Sequence, residues 1–318
     1  MKKILATLLG MALATSAHAA GYPDRPIKMI VPFAPGSATD ILGRVVAEKL
    51  SKELGVPVVV EAKPGAGTSI GAATVANSPA DGYTILLGTN ATFTLNRILY
   101  KSLTYRPDDF SLIGATGKMP SFLLVSANKG ASDLKQFIEA AKKAPEAVSY
   151  ASSGVGSTGD MTGKMLAYVA GIQLLHIPYK DGPQGLTAAI TGDVNGIFYT
   201  SMASMAQIKA GKVRPLAVST KERTSDLPNV PTIAELGYPD FDVAGWTAVA
   251  LLKKTPEDIK KKLIAAMEKL YQDDDFRKRQ LAFGLIPQND VGSALEQFAK
   301  TDLKKMKEMA DASNIKPE

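Results

Sequence analysis

Residues 27–40 read Ile-Lys-Met-Ile-Val-Pro-Phe-Ala-Pro-Gly-Ser-Ala-Thr-Asp, and residues 148–160 read Val-Ser-Tyr-Ala-Ser-Ser-Gly-Val-Gly-Ser-Thr-Gly-Asp. Each begins as a strand-like run, breaks at glycine, and continues as Gly-Ser-x-x-Asp into a helical pattern. After the first, apolar residues recur at Ile41, Leu42, Val45, Val46, Leu50 and Leu54, the period of a helix with one buried face. After the second, residues 157–170 form a helix in the same way. In both, the serine is placed to cap the helix, and the aspartate at the third helical position is placed to reach back to the serine amide.

Working outward, the rhythm repeats. Val56 to Val60, Ile70 to Asn77 and Tyr83 to Leu87 read as strand, short helix and strand. A second unit follows Phe122-Leu123-Leu124-Val125, with a helix opened by Ser132-Asp133 and a strand at Val148 to Ala151. Strands at Leu174 to Ile177, Val194 to Tyr199 and Val213 to Ser219 alternate with helices at 184–191 and 202–210. This alternation predicts two α/β units, each a parallel sheet with helices on both faces. The tail is helical: Thr255-Pro256-Glu257-Asp258 is a start signal, and residues 292–312 carry Leu295, Ala299, Leu303 and Met306 on one stripe.

The N-terminus predicts export. Lys2 and Lys3 precede an apolar run from Ile4 to Leu13, and Ala17-His18-Ala19 fits a signal-peptidase site. Cleavage near Ala19 leaves 299 of the 318 residues with a net charge of +4, because two of the 37 basic residues leave with the leader and the 31 acids stay. With 45% hydrophobic residues that length supports two domains. The mild positive surplus is not clustered as nucleic-acid binding demands. Cysteine is absent, and the mature chain keeps His176 as its single histidine, so thiolate and multi-histidine metal sites are excluded. No metal and no cofactor are expected.

A capped helix still presents free amides in its first turn, and its dipole adds a partial positive charge there. Such a turn holds a carboxylate without arginine or lysine. Turns between strand and helix sit at the carboxyl ends of strands, where ligands of open α/β sheets bind. Two matching turns on two lobes predict a cleft that grips an acid.

At these residues the sequence resembles the Bug receptors, the periplasmic binding proteins of tripartite tricarboxylate transporters. The resemblance rests on Tyr22-Pro23-Asp24-Arg25-Pro26-Ile27, Val31-Pro32-Phe33-Ala34-Pro35-Gly36 with Asp40, Asn77-Ser78-Pro79-Ala80-Asp81-Gly82-Tyr83-Thr84 and Pro178-Tyr179-Lys180. It continues through Ala210-Gly211-Lys212-Val213-Arg214-Pro215-Leu216-Ala217, Val230-Pro231-Thr232-Ile233-Ala234-Glu235-Leu236-Gly237 and Gly245-Trp246. It implies a two-lobed α/β periplasmic-binding-protein (Venus-flytrap) fold, type II, with two crossing strands near 119–126 and 243–251 as the hinge. It also implies a receptor, not an enzyme. The lobes would be residues 20–122 plus part of 246–318, and residues 123–245, after a signal peptide at 1–19, with C-terminal helices packing across both. Trp246 would lie near the hinge, in the core.

Carried onto this chain, the resemblance implies ligand contacts from Phe33, Ala34, Pro35, Gly36, Ser37, Thr39 and Asp40 in one turn. The other turn supplies Ser152, Ser153, Gly154, Gly156, Ser157, Thr158 and Asp160. The ligand class is a small organic carboxylate: a di- or tricarboxylate, an aromatic carboxylate or an acidic amino acid. The partners are that ligand and the membrane subunits of a tripartite tricarboxylate-type transporter, with no nucleic acid, and the receptor itself a monomer. Two departures stand out. Ser37 replaces a second glycine usual in the family, and Asp160 stands where a histidine is common. Asp160 either caps its helix or faces the pocket, where it favours a ligand that carries a cation.

Two enzymatic readings compete. Gly65-Ala66-Gly67-Thr68-Ser69-Ile70-Gly71 follows a strand as a dinucleotide fingerprint does, but its spacing is Gly-x-Gly-x-x-x-Gly. A hydrolase would need Ser153 or Ser157 with His176, yet there is no Gly-x-Ser-x-Gly elbow and no acid close to His176 in sequence.

Overall fold

A computed structural model describes residues 21–155 and 157–312. The signal peptide expected at residues 1–19 and the ligand contact expected at Gly156 lie outside the described residues.

The first sheet is built from β1 (Ile27–Val31), β2 (Val58–Ala62), β3 (Thr84–Thr89), β4 (Phe110–Pro120) and, from far along the chain, β10 (Ala244–Leu252). Its order is β2-β1-β3-β10-β4. Period-two alternation along β1 explains its burial: Ile27, Met29 and Val31 point into one core and Ile30 into the other. The first core is closed by α1 (Ala38–Leu54), through Val45, Val46 and Leu50, and by α8 (Glu257–Tyr271), through Leu263, Met267 and Leu270. The second is closed by α2 (Ser69–Ala76) and the last helix α10 (Gly292–Ala312), which brings in Leu295 and Ala299. Each fully buried Val, Leu, Ile or Met side chain among these contributes about 1.5–3 kcal/mol.

The second sheet has the order β7-β6-β8-β5-β9, from β5 (Phe122–Ser126), β6 (Ser149–Ser152), β7 (Leu175–Pro178), β8 (Gly196–Tyr199) and β9 (Val213–Val218). Helices α4 (Leu134–Lys143) and α5 (Thr158–Ala170) cover one face, while α6 (Gly182–Thr191) covers the other and α7 (Ser201–Lys209) follows β8. The fold is therefore α/β and two-lobed. Neither sheet is purely parallel, however. β10 runs antiparallel to β3 and β4, and β5 antiparallel to β8 and β9. The reason is the crossovers: a strand that enters a lobe from its neighbour arrives at the edge where that lobe's own parallel strands end.

The sequence reading missed four elements among others. β4 is interrupted by Gly114 and Gly117, which blurs its alternation. A π-helical turn, Ala91–Leu95, runs into α3 (Asn96–Leu99). α9 (Asp274–Ala282) is too polar to show a stripe, and only Phe276 and Gln280 are buried.

The two crossings lie side by side. Ser219 N–H donates to the Ser121 carbonyl at 2.9 Å, and Ser121 N–H donates to Ser219 Oγ at 3.0 Å. Val243 N–H in turn donates to the Ser219 carbonyl at 2.8 Å. Ser121 and Ser219 are buried, so water does not compete with these bonds. Helix α10 runs across the same junction: Leu295 belongs to the core of the first sheet and Met306 to that of the second. Between them, Asp302 Oδ2 accepts from Trp246 Nε1 and Thr94 Oγ1, both at 3.0 Å. Burial raises the Asp302 carboxyl pKa, with those two bonds pulling the other way. Trp246 is 1% exposed and stacks on Phe93 at 5.8 Å, so it is a core residue of the hinge strand.

Candidate functional site

Strand register decides where the two turns face. Thr89, the end of β3, pairs with Thr247 near the start of β10, and Ala244, the start of β10, pairs with Pro120, the end of β4. The carboxyl ends of β1 and β3, and with them the turn before α1, thus lie on the edge where the chain crosses. In the second sheet Phe122, the start of β5, pairs with Tyr199, the end of β8, and β8 is parallel to β6. The turn after β6 therefore points back at the same junction. Thr158 reaches it directly: a Cβ on Gly245 of the hinge strand would lie 2.6 Å from Thr158 Oγ1 and 3.5 Å from Asn90 Oδ1.

In the first turn Gly36 takes φ +80, a left-handed conformation that a side chain would strain. Ser37 caps α1 with φ −68 and ψ 161, and its side chain accepts the Asp40 N–H at 3.2 Å. The Asp40 carboxylate reaches one residue further back than expected. It accepts from Gly36 N–H at 2.9 Å, because the Ser37 N–H is already closed onto the Ala34 carbonyl at 3.1 Å. Arg44 grips the same carboxylate from one turn on, at 3.1 and 3.3 Å. Ala34, Pro35 and Gly36 are exposed, Ser37 is half-buried, and Thr39 and Asp40 are buried. Phe33 is half-buried against the core of the first sheet.

The second turn copies this geometry. Ser157 caps α5 with φ −67 and ψ 159 and accepts the Asp160 N–H at 3.3 Å, while Ser157 N–H closes onto the Gly154 carbonyl at 3.2 Å. Ser153 is exposed, Gly154, Ser157 and Thr158 are half-buried, and Ser152 and Asp160 are fully buried. Asp160 turns inward: Oδ2 pairs with Lys164 at 2.9 Å, and Oδ1 faces His176 Nδ1 at 3.2 Å and the Tyr150 hydroxyl at 3.3 Å. Its side chain is 0% exposed. The acid that faces His176 is thus supplied through space, by Asp160.

Electrostatically the two turns are alike. The cation four residues after each aspartate, Arg44 or Lys164, is engaged by Asp40 or Asp160. What the first turns of α1 and α5 can offer an anion is the backbone amides that the serine caps leave, those of Asp40 and Asp160 being taken, and about half a positive charge from each helix dipole. Hydroxyls of Ser37, Ser157 and Thr158 supplement them. Sequence reasoning missed Asn90, 3% exposed at the carboxyl end of β3 and, among the described residues, with no hydrogen-bond partner for its side-chain amide. Its place after a parallel strand was the available signal. Two cavities, of about 280 and 180 Å³, lie elsewhere: one beside α4 in the second lobe, one between Arg97 and Lys300 in the first.

Ser152 Oγ stands 2.8 Å from His176 Nε2, so serine, histidine and aspartate line up as in a hydrolase. Ser152 is nevertheless 0% exposed, and its hydroxyl is bonded within its own turn, where no substrate carbonyl reaches it. In the glycine-rich stretch after β2, Gly67 lies against the Tyr100 hydroxyl and Gly71 against Pro32. Those glycines serve packing of side chain on backbone rather than a phosphate cradle.

Two sheets joined by paired crossings, with a serine-capped turn of each lobe at the junction, define the architecture of a two-lobed solute-binding protein. Among solved structures the chain is similar to an R. palustris protein with adipate, at 29% identity and a TM-score of 0.86, covering 93% of this chain and 100% of that one. It is similar to the periplasmic binding protein BugD, at 32% identity and 0.82 over 93% and 100%. It is also similar to MatC of Rhodopseudomonas palustris with bound malate, at 28% and 0.79 over 91% and 99%. Residues 42–315 match the model of the tripartite tricarboxylate transporter family receptor. The chain belongs to this receptor family, the Bug proteins included.

Proposed function

We propose that this receptor is exported to the periplasm, with its leader cleaved near Ala19, and works as a monomer. There it captures a small organic carboxylate between the turns at 33–40 and 152–158 and delivers it to a tripartite tricarboxylate-type transporter. The lobes, residues 20–122 with part of 246–318 and residues 123–245, close by hinge motion at the paired crossings. One observation carries the reading: two serine-capped helix starts of matching geometry are aimed at one junction, and the cation one turn along each helix is held by that helix's own aspartate. An anion fits such a site and a cation does not. A dicarboxylate is favoured, because it offers one charge to each helix, and the relatives with adipate and malate support that choice. Asp160 supports the second turn from beneath and does not meet the ligand, which disfavours ligands bearing a cationic group.

Native mass spectrometry of protein purified without refolding names a co-purified acid, and calorimetry with adipate and malate ranks the class. Ser37→Leu and Ser157→Leu are expected to weaken binding by more than tenfold with the far-UV circular dichroism unchanged. An acid bound equally by wild type and both variants would place the site elsewhere.

A further inference from the structure

The second turn rests on a hydrogen-bond chain that the first turn lacks. Ser152 Oγ carries a single proton and has two acceptors in reach, His176 Nε2 at 2.8 Å and the Gly154 carbonyl at 2.9 Å. The Gly154 N–H donates to the same oxygen at 3.2 Å. On the far side of the ring, Nδ1 faces the Asp160 carboxylate at 3.2 Å. A ring nitrogen facing a carboxylate carries its hydrogen, so Nδ1 is a donor in both charge states and Nε2 alone changes role. With a neutral ring, Nε2 accepts a hydrogen bond from the Ser152 hydroxyl, and the Gly154 carbonyl is left with the Ser157 N–H as its donor, at 3.2 Å. With a charged ring, Nε2–H donates to Ser152 Oγ, and the hydroxyl proton turns to the Gly154 carbonyl, adding a second bond across the turn.

We propose that His176 is a positioning residue for the second binding turn, and that its protonation redirects the Ser152 hydroxyl onto Gly154 and tightens the grip on a bound carboxylate. This rests on the carboxylate-receptor reading above. The groups facing the ring come from the two elements packed on β7. From α5 come Asp160 and Lys164, and from β6 come Ser152 and Tyr150, whose ring stacks on the imidazole at 4.9 Å. Burial lowers the His176 pKa, Asp160 opposes that shift and Lys164 adds to it. Without ligand the ring is therefore neutral at neutral pH. A carboxylate at the turn favours the charged form, so binding takes up a proton, and affinity rises as pH falls, by at most about tenfold per unit.

Calorimetry with adipate and with malate between about pH 8 and pH 6, where the acids remain ionised, tests this. Wild type is expected to tighten about three- to tenfold across that range. His176→Gln, whose amide can still bond Ser152, is expected to bind with no pH dependence beyond that of the buffer. Equal slopes in the two proteins, or a flat wild type, would overturn the proposal. A second readout needs no ligand. Once the leader is gone His176 is the sole histidine, so its ring nitrogens are resolved by NMR. The neutral ring is expected to carry its hydrogen on Nδ1, and the Gly154 amide is expected to titrate with the ring in wild type and not in His176→Gln. The opposite tautomer, or a Gly154 amide indifferent to the ring, sinks the inference. If neither acid binds, the receptor reading for dicarboxylates falls, and the NMR titration still decides the role of His176.

Discussion

The turns before α1 and α5 are built to one plan, yet they are anchored differently. Their cap dihedrals agree to within about two degrees, and both caps sit three residues before an aspartate that a cation four residues further on neutralises. The contrast lies beneath. Asp40 has Arg44, whose side chain is 58% exposed and rehydrates if the pair is broken. Asp160 has Lys164 at 24%, His176 at 15% and the buried Tyr150 hydroxyl. A turn anchored at the surface keeps its shape by its own caps; a turn anchored in a core shares its shape with every residue of that core.

The sharpest way to break this contrast is to remove the acids. Asp160→Ala strands a largely buried lysine and a histidine and is expected to cost about 3–5 kcal/mol in urea unfolding, against about half of that or less for Asp40→Ala. Equal losses would mean that the two anchors do not differ. Next comes the glycine three positions after each aspartate. A Cβ on Gly163 would lie 2.2 Å from the ring of Tyr150, which is 1% exposed and cannot yield, whereas one on Gly43 would meet the Val31 methyl at 2.9 Å. Gly163→Ala is expected to destabilise by about 1–3 kcal/mol. In Gly43→Ala the gain of about 1 kcal/mol in helix propensity offsets most of the clash. Calorimetric melting of the pair measures the difference.

Where the plan is shared, the effects should match. Ser37→Ala and Ser157→Ala each lose a cap bond and are expected to cost about 1 kcal/mol alike; a gap well beyond that would show that one hydroxyl has a further partner. The smallest effect is in acid. His176 has a lowered pKa in the folded chain, so the folded state resists a proton that the unfolded state accepts near ~6.5. Stability is complete above that value and declines as pH falls from it toward the folded pKa. Unfolding curves across this window should slope in wild type and flatten in His176→Gln.

Much of this was legible from the chain. The strand, glycine, serine and aspartate of each turn are contiguous, so capping chemistry and the α/β rhythm showed where each helix begins. The repeat runs further than Gly-Ser-x-x-Asp: Gly43-Arg44 and Gly163-Lys164 occupy the same places after their aspartates. That extension was open to a reader who carried the helical i, i+4 rule one turn on. Asn90 was harder, since a lone asparagine after a strand looks like any turn residue. The partnership of Asp160 with His176 was harder still, because β7 lies beyond a whole helix and pairs with β6 only once the sheet forms.

Sequence alone determined the local grammar: which runs extend, where helices are capped, which residues carry no formal charge for an anion to meet, and which family the chain belongs to. Those properties depend on neighbours within a few residues, and the chain states them directly. Tertiary structure alone decided that β5 and β10 reverse direction, that both turns face one junction, and that Asp160 points inward to Lys164 and His176. These depend on which strand ends meet after the chain has crossed twice, and burial then selects the partner of each charge by proximity in space.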